Sequence, residues 1–137
     1  TILSKGGLKS TSDFDLLGQG DSYGATLTFS VTQDSLKWEP LASTPSQRFE
    51  ALKQAKERGI ATWASLEPVI IPKQTLIIVH QTHKFVDHYK IGKWNYDKRA
   101  EKIDWRIFVK DIITLLDNLG KDYYVKESLR PYMEEAL

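Results

Sequence analysis

Short apolar stretches alternate along this chain with longer segments in which apolar residues recur every three or four positions. The short stretches predict β-strands at 2–4, 25–31, 60–66, 89–92 and 123–125. The longer segments predict helices at 13–17, after Thr44, at 76–85, after Asp104 and after Lys126. Because single strands and helices alternate with short connections, we expect parallel strands joined by right-handed crossovers.

Two of the predicted helices carry clear boundary signals. Thr44 stands at the N-cap of the first, with Pro45 at the first helical position and Gln47 where a capping box needs glutamine. Asp104 caps the second, whose apolar face runs to Gly120. The apolar run at 76–85 fits either a helix or a strand, and we interpret it as a helix because a parallel strand must follow a crossover.

Composition places the chain among ordinary globular proteins. With 137 residues, 41% hydrophobic and 27% charged, it fits a single domain over 1–137. The net charge of +1 leaves nucleic-acid binding without support from overall electrostatics and gives no attraction to an anionic membrane. No apolar run is long enough to cross a bilayer, and the absence of cysteine excludes disulfides and thiolate-bound metal clusters. We expect a cytoplasmic protein.

The order of elements predicts the fold class. A Gly-x-Gly-x-x-Gly fingerprint and a phosphate-binding loop are both missing, so a Rossmann-type nucleotide site is unsupported. We predict an α/β protein with a partial (β/α) TIM-like barrel of about five parallel strands. The chain begins inside a predicted strand and lacks an initiator Met, so we expect it to be part of a longer protein.

Polar residues follow nearly every predicted strand, and the carboxyl ends of parallel strands meet on one face of a barrel. The candidate ligand-binding residues at these ends are Lys5, Thr28, Ser30, Glu67, Lys93 and Asn95, with Ser4 and Lys126 beside them. Such a set suits a polar ligand that carries a carboxylate or phosphate together with hydroxyls or an ammonium group. No residue is singled out as catalytic.

Two glutamates precede prolines but receive different predictions. For Glu39 we favour an ion pair with a helix residue such as Arg48. Glu67 directly follows a buried strand and is held extended by Pro68, so we favour contact with a ligand over an ion pair.

The histidines and the aromatic residues near 94–96 leave less specific signals. His80 and His83 share one side of a helix, but no third ligand has metal-site spacing, so we predict surface histidines and no metal site. Trp94 and Tyr96 could stack on a nucleotide base or cover the barrel mouth, and the sequence does not choose between these roles.

Several runs resemble the later part of radical S-adenosylmethionine (SAM) proteins. They are ILSKG at 2–6, WEPLA at 38–42, the segment 48–60, SLEPVI at 65–70 and IGKWNY at 91–96. The branch they resemble is that of spore photoproduct lyase and the proteins labelled DNA repair photolyases. The runs are short but occur in the family's order over nearly the whole chain.

This resemblance implies a cofactor and a division of roles. In that family a 4Fe–4S cluster held by a CxxxCxxC motif cleaves S-adenosylmethionine, and this chain has none of those cysteines. The resemblance makes Lys5 a contact of the cofactor's carboxylate, and it places Thr28 and Ser30 at the ribose position. It also puts Glu67 and the strand that ends at Lys93 beside the cofactor. We therefore expect the C-terminal portion of a radical SAM enzyme, possessing part of the cofactor pocket but inactive alone.

An alternative stays open: a non-enzymatic α/β domain that binds a small anionic ligand or a protein partner. Under the first hypothesis the partner is the preceding part of the same protein. An unpaired first strand also invites pairing, so we expect a homodimer in isolation. The sequence does not identify a substrate.

Overall fold

The computed structural model describes residues 2–17 and 20–136. The strands are β1 (Ile2–Ser4), β2 (Ser22–Thr26), β3 (Ala61–Val69), β4 (His88–Lys93) and β5 (Asp122–Val125). The α-helices are α1 (Thr32–Trp38), α2 (Pro45–Glu57), α3 (Pro72–Thr82), α4 (Trp105–Asn118) and α5 (Arg130–Ala136). Short 3-10 helices cover Gly7–Leu16, Lys98–Lys102 and Glu127–Leu129.

The strands form one parallel sheet in the order β1-β2-β3-β4-β5. Each strand therefore pairs with the next one along the chain, and every connection between neighbours returns over the sheet. This sequential order is that of a (β/α) barrel rather than of a doubly wound sheet, whose strand order reverses. The predicted α/β class with five parallel strands alternating with helices is confirmed.

The two faces of the sheet differ because successive side chains of a strand point to opposite sides. On one face Tyr23, Leu66 and Ile91 are fully buried among the helices. On the other face Leu3 is 51% exposed and Tyr124 is 45% exposed. We call this second side the open face; it corresponds to the interior side of a barrel.

The helix boundaries follow the predicted caps. The Thr44 hydroxyl accepts a hydrogen bond from the Gln47 backbone N–H (3.3 Å), and the Gln47 side chain accepts one from the Thr44 N–H (3.0 Å). This reciprocal pair satisfies two donors that a helix start would otherwise leave free. Asp104 accepts from the Ile107 N–H at 3.2 Å, and Gly59 has the left-handed φ of 79° expected after a helix end.

Several predicted boundaries were wrong. β2 ends at Thr26, not at 31, and buried loop residues carry the chain onward. The predicted helix at 13–17 is a 3-10 helix that starts at Gly7. α1 was not predicted, because it is seven residues long and buries only Ser35. The segment 76–85 is helical as expected, but α3 begins earlier, at Pro72.

The helices of the described residues are short. The longest is α4 with 14 residues, which corresponds to a length of about 21 Å. Within residues 2–17 and 20–136, therefore, no helix has both the length and the apolar character needed to cross a bilayer.

Candidate functional site

The open face carries its side chains in three rows across neighbouring strands. The pairing register defines a lower row of Leu3, Gly24, Trp63, His88 and Asp122. It also defines a middle row of Thr26, Ser65, Lys90 and Tyr124. The upper row, nearest the carboxyl ends of the strands, consists of Glu67, Gly92 and Lys126, which the contacts described next bring together. Rows of this kind line the interior of (β/α) barrels.

The upper row consists of the Glu67–Lys126 ion pair, whose carboxylate lies against Gly92. The Lys126 ammonium donates to Glu67 Oε1 at 3.0 Å, with the two side chains 39% and 31% exposed. The Glu67 carboxylate occupies the space that a side chain at position 92 would need, since a Cβ built on Gly92 would overlap it. The sequence prediction placed Glu67 after the strand, but it lies inside β3, next to the cis Glu67–Pro68 peptide bond.

The middle and lower rows surround a cavity of about 410 Å³. It is lined by Leu3, Trp63, Ser65, His88, Lys90, Tyr124 and Lys126. The Lys90 ammonium lies 4.3 Å from the centre of the Trp63 ring, in cation–π geometry. The Trp63 indole in turn covers Gly24, where a Cβ would overlap it. Small residues on β2 and β4 thus make room for large polar and aromatic side chains from β3.

At the β5 side of this cavity Arg130 reaches Tyr124. Its guanidinium donates to the Tyr124 hydroxyl at 2.7 Å and lies 5.2 Å from the ring centre. In the lower row His88 Nδ1 lies 2.6 Å from Asp122 Oδ2. The positive groups around the cavity are therefore Lys90, Lys126 and Arg130, and the carboxylates beside it are already paired with Lys126 and His88.

Lys5 belongs to a different network, beside the open face. The Glu39 carboxylate pairs with Arg48 at 2.6 Å and with Lys5 at 3.2 Å, which confirms the predicted Glu39–Arg48 ion pair. The Arg48 side chain is 2% exposed and also donates to the Thr26 carbonyl at 2.8 Å. Ser35 donates a further hydrogen bond to Glu39. This network ties α1 and α2 to the end of β2.

Thr28 and Ser30 lie in the loop after β2. Thr28 is 3% exposed, and its hydroxyl has no hydrogen-bond partner among the described residues. The Ser30 backbone N–H donates to Gln74 Oε1 at 2.8 Å, which fixes the loop to α3. Thr28 thus keeps an unused polar group close to the carboxyl end of β2.

Lys93 and Asn95 do not join Glu67. The Lys93 ammonium donates to the Tyr132 hydroxyl at 3.3 Å and lies 5.7 Å from the centre of the Trp105 ring, so it points to the helix-covered side. Asn95 is exposed in the loop after β4. Of the six residues selected from the sequence, Glu67 lies within a strand and contributes its side chain to the open face, whereas the Lys93 side chain points to the helix-covered side.

The aromatic residues after β4 divide between two roles. Trp94 packs edge-on against Trp38 at 5.7 Å, and the Arg99 guanidinium lies over both rings. Two hydrogen bonds from Arg99 to Asp97 hold this cation in place and lower the pKa of that carboxyl to about 2. Trp94 therefore packs at the rim of the sheet, whereas Tyr96 is fully exposed.

The three histidines lie on different parts of the fold. Among the described residues, His, Asp and Glu nowhere group in the threes that could hold a metal ion. His80 is exposed on α3, as predicted from the sequence, and His83 is half-buried just after it.

The sequence prediction missed Trp63, Ser65, Lys90 and Tyr124. The prediction considered only residues at the carboxyl ends of the predicted strands, and these four residues lie further inside the strands. A signal was present: in 62–67 every second residue is small or apolar and buried, and the residues between them form the open face. The alternation within each strand therefore indicates which residues form the open face.

Comparison with solved structures finds a similar fold in the protein SuiB. Solved structures of SuiB from Streptococcus suis superpose with a TM-score of 0.67 and 14% identity, including structures bound to S-adenosylmethionine and to the precursor peptide SuiA. The matches cover 98% of this chain but only about a third (34%) of SuiB. The chain matches no protein-family model and no curated protein. The fold of this chain is therefore similar to that of part of SuiB.

Proposed function

We propose that this chain is the later part of a radical SAM barrel and that its open face forms part of the S-adenosylmethionine pocket. The observation that carries this proposal is the polar open face at the carboxyl ends of five parallel strands, in a fold similar to SAM-bound SuiB. We also propose that the parent protein belongs to the branch of spore photoproduct lyase, and this part of the proposal rests on short sequence runs alone.

The residues of the upper row fit the methionine part of S-adenosylmethionine. That group carries an ammonium and a carboxylate, and Glu67 and Lys126 offer the complementary charges side by side at 3.0 Å. Both side chains are partly exposed, so a zwitterion can replace their mutual contact without leaving either charge unpaired. The Thr28 hydroxyl near the end of β2 has no partner among the described residues, and a small movement of the loop after β2 would let it meet a ribose hydroxyl.

The other residues carried over from the resemblance need adjustment to reach the same ligand. Lys5 would have to exchange Glu39 for the cofactor carboxylate, and Ser30 would contribute its side chain while its backbone stays bound to Gln74. Lys93 would have to leave Tyr132 and turn from the helix-covered side, and Asn95 would act from the loop after β4.

The cluster that cleaves S-adenosylmethionine requires thiolates that this chain does not have. When bound, such a cluster supplies the electron for reductive cleavage. The role of these residues is to bind and orient the cofactor. We propose that the cysteines lie in a preceding part of the same protein. The unpaired edge of β1 would meet that part, or a second copy of this chain when it is produced alone.

The coding sequence before Thr1 gives the first test. We expect a CxxxCxxC motif roughly one or two β/α units upstream. An open reading frame that starts at this residue, or a preceding segment without the motif, would contradict the proposal.

The second test measures SAM affinity by equilibrium dialysis in the protein that contains both parts. Glu67→Gln should weaken binding by about tenfold, because it removes the partner of the ammonium group. Glu57→Gln, an exposed carboxylate at the end of α2, is the matched control and should leave affinity unchanged. Equal affinities for Glu67→Gln and the native protein would refute the role of the open face.

A further inference from the structure

The cavity of the middle and lower rows lies beneath the Glu67–Lys126 pair and is not needed for the cofactor contacts above. It has a volume of about 410 Å³ and two aromatic walls, Trp63 and Tyr124. Ser65 also lines it, and no hydrogen bond of the Ser65 hydroxyl to a described residue is formed although the residue is 8% exposed. A hydroxyl that faces a cavity without a protein partner is a donor available to a ligand.

Lys90 is the central charge of this cavity. Its ammonium rests on the Trp63 ring at 4.3 Å and makes no ion pair with any carboxylate of the described residues. An aromatic face holds a cation in position but does not neutralise it, so the charge stays available to an anion. By contrast Lys56, on α2, is neutralised by Asp87 at 2.6 Å.

The groups next to Lys90 add further positive charge around the cavity. Arg130 donates to the Tyr124 oxygen at 2.7 Å, which leaves the Tyr124 O–H proton free to donate to a ligand. Lys126 borders the cavity from above, and His88 borders it from below with its partner Asp122. None of the residues that line the cavity is a carboxylate.

We infer that this cavity binds an anionic group, a carboxylate or a phosphate, of a second ligand that enters the open face beneath the cofactor position. Lys90 provides the charge, and the Ser65 and Tyr124 hydroxyls donate hydrogen bonds to the anion. The occupant is a small anionic molecule rather than a protein segment, because Lys90 lines a space of small-molecule size and Arg130 adds positive charge behind Tyr124, while Lys126 stays paired with Glu67. This site does not depend on SAM binding in the upper row.

The test is a ¹H–¹⁵N NMR titration of the 137-residue chain with inorganic phosphate or with benzoate, at ionic strength held constant with sodium chloride. Constant ionic strength removes the effect of screening on surface charges. Each of the four tryptophans contributes one indole N–H signal. We expect a saturable shift of the Trp63 indole and none for Trp105, whose indole donates to the Ala100 carbonyl away from the cavity. Tighter binding of phosphate or of benzoate identifies which anion the site takes.

Single substitutions distinguish a loss of the Lys90 charge from a loss of folding. Lys90→Met should weaken binding by about tenfold or more, and Lys90→Arg should retain it. Lys110→Met, an exposed lysine on α4, is the matched control and should behave like the native chain. If Lys90→Met does not fold, Tyr124→Phe takes its place, with a smaller loss expected. No shift of Trp63 with either anion, or equal affinity in these variants, would overturn the inference.

Glu67→Gln distinguishes this inference from the proposed function. Removing that carboxylate should weaken SAM binding but keep or strengthen the binding of phosphate or benzoate, because it removes negative charge from the edge of the cavity. A loss of anion binding in Glu67→Gln would contradict the inference while leaving the SAM proposal to its own assay.

Discussion

Alanine at position 92 should displace the Glu67 carboxylate and so break the upper row. Gly92 lies in β4 with a φ outside the left-handed region, so its backbone accepts alanine without strain. The obstacle is the neighbouring strand: a Cβ at this position would overlap the carboxyl group and the Cγ of Glu67. The side chain of Glu67 would have to leave its contact with Lys126.

The magnitude follows from three contributions. Forcing a methyl group into occupied space costs about 1–3 kcal/mol, and losing a half-exposed ion pair costs about 0.2–1 kcal/mol. Replacing glycine by alanine in a strand returns about 0.5–1 kcal/mol. We therefore expect Gly92→Ala to lower the free energy of unfolding by about 1–2 kcal/mol.

The same substitution should change sign when Glu67 is absent. In Glu67→Ala the space above Gly92 is empty, so adding Gly92→Ala should stabilise that variant by about 0.5–1 kcal/mol. The double-mutant cycle should thus give a coupling energy of about 2 kcal/mol between the two positions.

Urea unfolding of the native chain, the two single variants and the double variant measures this cycle. With an m-value of about 2 kcal/mol/M, Gly92→Ala should lower the midpoint by roughly 0.5–1 M. Equal destabilisation by Gly92→Ala with and without Glu67 would refute the reasoning, because the cost would then come from the backbone and not from the carboxylate.

Two further predictions concern the helix-covered side. Arg48→Leu should lower the free energy of unfolding in urea by about 3–5 kcal/mol, because it leaves Glu39 and the Thr26 carbonyl without their buried partner; a loss below about 1 kcal/mol would contradict this. Burial raises the pKa of Tyr89, partly opposed by its hydrogen bond with Thr82. The folded state therefore binds this proton more tightly than the unfolded chain, whose tyrosine pKa is about 10. The contribution of protonated Tyr89 to the free energy of unfolding is therefore fully present below about pH 10 and is lost as the pH rises further. Thermal melts at about pH 9 to 11 should show a smaller loss in Tyr89→Phe, and an unchanged loss would exclude Tyr89 as the cause.

The fold could be predicted because its signals are local. The capping box at Thr44, the cap at Asp104 and the glycine after α2 each act within a few residues, and the structure has all three where they were expected. α1 and the end of β2 could not be predicted in this way. Residues 27–29 alternate apolar and hydroxyl side chains as a strand does, but they lie in a loop beyond β2, where the Leu27 N–H still donates to the Ser65 carbonyl at 2.9 Å.

The site could be predicted only in part. The rule that polar residues at strand ends form the site found Glu67 and, beside the six candidates, Lys126, and these two are neighbours in space although they are 59 residues apart. It also selected Lys93, whose side chain turns to the opposite side of the sheet because it is one residue beyond Gly92. A shift of one position in a strand moves a side chain to the other face, so strand-end position alone cannot select the right residues.

The sequence by itself determined the order of the five strands, the caps of α2 and α4 and the absence of thiolates. These depend on period, on neighbouring residues or on composition. Only the tertiary structure decided that Gly92 makes room for Glu67 and that the Lys90 ammonium lies over the Trp63 ring. Each of these contacts joins different strands or helices, so it depends on pairing register and on which face a side chain reaches, and no local pattern along the chain contains that information.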